Sequence, residues 1–110
     1  MKAIKFTCKE IKPIEIENTL EALQREEGGY IECVNLGDNY ILICDEEGKL
    51  KALNTITLML RNKKGQLEEI VGDCLILKVA KNGDFKGLNE TEIEYFMNNP
   101  KLRIARCLDV

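Results

Sequence analysis

The chain has 110 residues, with 45% apolar and 32% charged side chains, 16 basic and 19 acidic groups, and a net charge of −3. A chain this long builds one core, burying roughly two-thirds of its unfolded surface, and has no room for a second. The mild acidity speaks against a nucleic-acid footprint: residues 1–50 carry 6 basic and 11 acidic groups, residues 51–110 carry 10 and 8.

Lys2 to Cys8 alternates loosely and reads as a first strand. From Ile11 to Glu17, Ile14 and Ile16 fall on one face and Glu15 and Glu17 on the other, the period of a half-buried strand. Pro13 lacks a backbone donor, which predicts an edge position or a late start. Asn18 and Glu21 have the spacing of a capping box, and Leu20, Ala22 and Leu23 supply the apolar stripe of a helix over 18–27. Gly28 and Gly29 stop it, since glycine accepts the positive φ that ends a helix.

A hairpin follows. Tyr30–Asn35 and Tyr40–Cys44 flank the turn formers Leu36-Gly37-Asp38-Asn39. Asp45-Glu46-Glu47-Gly48 makes a second turn into Lys49–Leu53. Residues 55–61 fit two patterns: Ile56, Leu58 and Leu60 alternate as in a strand, whereas Leu53, Ile56 and Leu60 have helical spacing. A short helix is the expectation here. Asn62-Lys63-Lys64-Gly65 turns the chain, and Val71–Ala80 has the look of a buried strand, with Gly72 marking a bulge or a close backbone approach. Lys81-Asn82-Gly83-Asp84 is a turn, Asn89 and Glu92 form a second capping box before a helix over 90–98, and the apolar tail ends in a strand. The expected fold is α+β: an antiparallel or mixed sheet of five or six strands with two short helices packed on one face.

The five cysteines, at 8, 33, 44, 74 and 107, form no Cys-x-x-Cys pair, and the chain has no histidine to complete a mixed zinc site. They are expected to be reduced, and those in apolar runs (Cys33, Cys44, Cys74) buried, which fits a reducing, cytoplasmic setting. With no histidine, Ser/His and Cys/His catalytic pairs are excluded; the chain has no serine either, and the phosphate-cradling P-loop motif is absent. No apolar run reaches the roughly 18 residues of a membrane span. No cofactor or metal is expected, and enzymatic activity is disfavoured.

The polar positions that interrupt apolar surroundings are the candidate site. Glu32 stands in an apolar strand, where it either faces solvent or reads a ligand amine, amide or hydroxyl. Tyr30 is either core or a stacking platform. Asn54 is a cap or a ligand contact, and Arg61, Lys63 and Lys64 form either a solvated turn or a phosphate clamp. These six residues would meet where the Gly28-Gly29 turn approaches the Asn54 loop, and a homodimer would enlarge that wall.

The runs Ile16–Gln24, Gly28-Gly29-Tyr30-Ile31-Glu32, Ile43–Lys49, Leu53-Asn54 and Val71-Gly72-Asp73 resemble a family of small proteins from phages, plasmids and integrated elements of Gram-positive bacteria, known only as a domain of unknown function. The resemblance covers about residues 1–98. It implies a mobile-element accessory protein of the host bacterial cytoplasm, and such proteins often serve counter-defence. The expected function is a non-enzymatic binder that sequesters a small nucleotide-like immune signal or blocks a host defence protein. The alternative is a self-associating module of a phage or plasmid assembly.

Overall fold

The computed structural model describes residues 1–7, 9–27, 29–45, 56–61, 64–99 and 107–109. Two strands open the chain, β1 (Lys2–Phe6) and β2 (Ile11–Glu15), followed by helix α1 (Leu20–Glu27). The hairpin β3 (Ile31–Gly37) and β4 (Tyr40–Asp45) comes next, then β5 (Ile56–Arg61), β6 (Leu67–Val71), β7 (Cys74–Val79) and the short β8 (Phe85–Lys86). Helix α2 (Glu90–Met97) and strand β9 (Cys107–Asp109) complete the order. Among the described residues, no helix is long and apolar enough to cross a membrane.

The strands form two sheets. The main sheet runs β2-β1-β7-β4-β3, with β8 added to β7, and every pairing in it is antiparallel. The small sheet runs β6-β5-β9, antiparallel on one side and parallel on the other. The chain is therefore α+β and rich in strand, as its periodicities indicate. Pro13 sits on β2, an edge strand, where its missing N–H costs no ladder bond. The β3–β4 turn uses Asp38 at φ 53° and Asn39 at φ 67°, the paired positive φ of a type I′ turn, which asparagine and aspartate tolerate best after glycine.

Five expectations are corrected, three of them at β5 and the helices. The first concerns residues 55–61, where the described part, β5, is a strand and not a helix. Thr57 and Ile56 are β-branched, and alternation places Leu58 and Leu60 on one buried face beside Ile70 of β6. The second concerns the cap of α1. Thr19, not Asn18, caps it: Thr19 Oγ1 accepts a hydrogen bond from Ala22 N at 3.1 Å, while Asn18 Nδ2 donates to Phe85 O at 2.9 Å. The second capping box forms as read, with Asn89 Oδ1 accepting from Glu92 N at 2.8 Å and Glu92 Oε1 accepting from Asn89 N at 2.9 Å.

The third correction concerns the helices, which lie on opposite faces of the main sheet. Alternation along β1, β4 and β7 sends Ile4, Phe6, Leu42, Cys44, Cys74 and Ile76 to one side, where they pack with Ile93 and Phe96 of α2 and with Leu58, Leu60 and Ile70 of the small sheet. Ala3, Ile43, Leu75 and Leu77 point the other way and pack with Ala22 and Leu23 of α1. The central strands are apolar on both faces, so a single helical layer would leave one face wet.

Gly72, at φ 86°, marks the bend between β6 and β7 and not a bulge inside one long strand. Beside it, Asp73 Oδ2 lies 3.7 Å from Lys5 Nζ, which donates to Glu26 Oε2 at 2.8 Å and so ties α1 to β1. Strand β6 itself has no counterpart in the sequence reading. Cys44 and Cys74 are buried, but Cys33, on edge strand β3, is exposed. The expected strand over Lys49–Leu53, Gly28 and the side chains of Cys8 and Cys107 lie outside the described residues.

Candidate functional site

The two sheets are joined through Leu58, Leu60 and Ile70 on one side and Leu42, Cys44 and Ile76 on the other. Toward the β3 edge they part and leave a cavity of about 610 Å³. Its floor is the main sheet: Glu32 and Val34 of β3, Cys44 and Asp45 of β4. Its wall is the small sheet: Met59 of β5 and all five residues of β6, Leu67, Glu68, Glu69, Ile70 and Val71. The volume is that of a small-molecule site.

The floor follows from strand geometry. Glu32 and Val34 are two residues apart, so they share a face of β3, and Glu32 stands opposite Cys44 in the β3–β4 register. The Cys44 thiol donates to the Glu32 carbonyl at 3.7 Å. Asp45, at the end of β4, is 8% exposed and buried beneath the cavity. Four carboxylates therefore border the space, from Glu32, Asp45, Glu68 and Glu69. They do not gather around a point: among the described residues no group of three or more acidic, cysteine or histidine side chains is placed to hold a metal ion. Among the described lining residues the charged side chains are carboxylates, which suit amines, guanidinium groups and hydrogen-bond donors. Beside Glu32 in β3, the Cys33 thiol is pushed up by burial first and by the Glu32 carboxylate second.

Of the six residues singled out in the sequence, Glu32 alone is shown at the cavity. Tyr30 precedes β3, is 68% exposed and does not line it. Arg61 ends β5 and stands opposite Leu67 in the register; its Nη1 donates to the Gly65 carbonyl at 3.1 Å, and Lys64 lies exposed in the same turn. These two cations thus mark the end of the β5–β6 hairpin, next to the Leu67 limit of the cavity. Asn54 and Lys63 lie outside the described residues. The wall residues Glu68 and Glu69 escaped the sequence reading. Leu67-Glu68-Glu69-Ile70-Val71 shows no alternation, so the one available signal was a pair of acids between apolar residues.

A second, smaller cavity of about 290 Å³ lies among Lys2, Pro13, Ile14, Glu15, Glu90 and Ile93. The Lys2–Glu90 ion pair bridges it. That pair raises the Lys2 amine above its ordinary value, by the hydrogen bond first and the charge second.

A third polar cluster is structural. Glu92 Oε2 accepts from the Tyr40 hydroxyl at 2.8 Å and lies 2.8 Å from Lys78 Nζ, which sits 5.7 Å from the centre of the Tyr40 ring. Burial and the Glu92 bond push the Tyr40 hydroxyl up to about 12. Burial would raise the Glu92 carboxyl, but the bonds from Asn89 N, Lys78 and Tyr40 hold it below its usual range. The cluster pins the first turn of α2 to the main sheet.

No curated protein and no solved structure gives a significant match to the chain. The family described as a domain of unknown function (DUF3846) matches residues 1–101, nearly the whole length, and the chain belongs to that family.

Proposed function

We propose that the chain is a mobile-element accessory protein that acts in counter-defence as a non-enzymatic binder, blocking a host defence protein. The observation that carries this reading is the cavity between the two sheets, with Glu32 on its floor and Glu68 and Glu69 on its wall. A carboxylate lining favours a basic segment of a partner over a phosphate-rich ligand. The resemblance to phage- and plasmid-borne proteins supports the setting.

A second reading keeps the small nucleotide-like signal. It rests on Arg61 and Lys64 at the hairpin end, which would face the phosphate while Glu32 accepts from an amino group of the base.

The test is phage plating on bacteria that carry a defence system, with and without the chain. The native chain should restore plating, and Glu32→Arg should lose most of that effect while its circular dichroism stays unchanged. Full protection by Glu32→Arg would move the site away from the cavity. Mass spectrometry of material released by mild heating separates the two readings, since a nucleotide binder gives up its ligand and a protein blocker gives up none.

A further inference from the structure

The cavity meets β6 in an unusual way. A strand that presents a face to a space contributes every second residue, because side chains alternate. Here five consecutive residues of β6, Leu67 through Val71, line the space. Leu67, Glu69 and Val71 share one face of the strand, and Glu68 and Ile70 share the other. Both faces reach the cavity, so the cavity meets the strand at its edge. Strand β6 is the end of the small sheet among the described residues, with β5 on its inner side. Among the described residues no strand pairs with its outer row of N–H and C=O groups, which borders the cavity above the floor of Glu32 and Val34.

The chemistry of the lining says what kind of strand would pair there. Glu32, Glu68 and Glu69 supply negative charge, and Val34, Met59 and Leu67 (51% exposed) supply apolar surface. An extended segment hydrogen-bonded to β6 would send alternate side chains down to the floor and up along the wall. Lysine or arginine at those positions would meet carboxylates, and small apolar residues would meet Val34 and Leu67.

We propose that the cavity is a strand-addition site that takes an extended, Lys/Arg-bearing segment of a partner protein, paired to the open edge of β6. This rests on the protein-blocking reading above and names the partner's chemistry.

The probe is an eight-residue peptide with lysine alternating with valine and threonine, acetylated and amidated, titrated into the full chain by calorimetry. Two controls accompany it: the same peptide with glutamate for lysine, and the same peptide with alternate backbone nitrogens methylated. The lysine peptide should bind at least about tenfold more tightly than either control, one control removing the charge match and the other the ladder donors. It should slow hydrogen exchange at the amides of Leu67–Val71. The double variant E68K/E69K should weaken it by about tenfold or more.

Equal binding of the methylated peptide would overturn the proposal, because charge alone would then suffice. So would protection confined to β3 or to the helices. Protection of the β6 amides in a dimer formed without peptide would overturn it as well, in favour of a second copy of the chain as the occupant. The peptide arms need no variant to fold. Failure of the peptide alone, with phage protection still lost in Glu32→Arg, removes the strand-addition site and leaves the binder reading in place.

Discussion

The two sheets bury their surfaces differently. In the main sheet, β1, β4 and β7 carry fully buried side chains on both faces: Ile4, Phe6 and Ile76 toward α2 and the small sheet, Ala3, Ile43 and Leu75 toward α1. In the small sheet, among the described residues, Leu58, Leu60 and Ile70 pack against the main sheet, while Leu67, Glu68 and Glu69 stay exposed at its edge. The lesson is a division of burial: the main sheet is covered on both sides, whereas the described edge of the small sheet is left exposed.

The hardest test of this comparison removes a core methyl group cluster. Ile76→Ala should cost about 2–5 kcal/mol in urea unfolding, since Ile76 is fully buried between packed layers. Leu67→Ala, on the open edge, should fall within about 0.5 kcal/mol of the native chain. Similar losses at the two positions would break the division.

The cysteines test it at finer grain. Cys74→Ser should cost about 1–3 kcal/mol, by placing a hydroxyl in an apolar core, whereas Cys33→Ser should be within about 0.5 kcal/mol. A thiol reagent should accordingly label Cys33 in the native protein and spare Cys44 and Cys74.

The smallest effect sharpens the role of α2. Glu92→Gln should lower stability by about 1–2 kcal/mol at neutral pH, through loss of the charged cap and the Lys78 and Tyr40 bonds. The sign of the pH dependence follows from a carboxyl held below its usual value of 4.5. Its contribution is complete above that value and is lost as pH falls through the lower folded value. The stability of Glu92→Gln should therefore decline less steeply than that of the native chain below pH 4.5. Parallel decline would show that Glu92 carries no special share.

Much of this was written in local patterns. The edge position of Pro13, the box of Asn89 and Glu92, the Asp38-Asn39 turn and the buried run from Cys74 to Val79 each depend on properties of a few neighbouring residues: a missing donor, a short side chain, a tolerance for positive φ, a row of apolar groups. The oddity of Glu32 was local too, because a carboxylate among strand formers is visible without a partner strand. Other features needed contacts distant in sequence. Residues 56–61 satisfied the strand and the helical period alike, and pairing with β6 and β9 decided between them. Cys33 and Cys44 looked alike in the sequence, but Cys33 lies on edge strand β3 and Cys44 on a strand paired on both sides. The site was decided in the same way. Glu68 and Glu69 come to border the same space as Glu32 only because the small sheet docks on the Ile76 face of the main one, and that docking is set by which apolar faces remain to be covered once α1 and α2 have taken their sides.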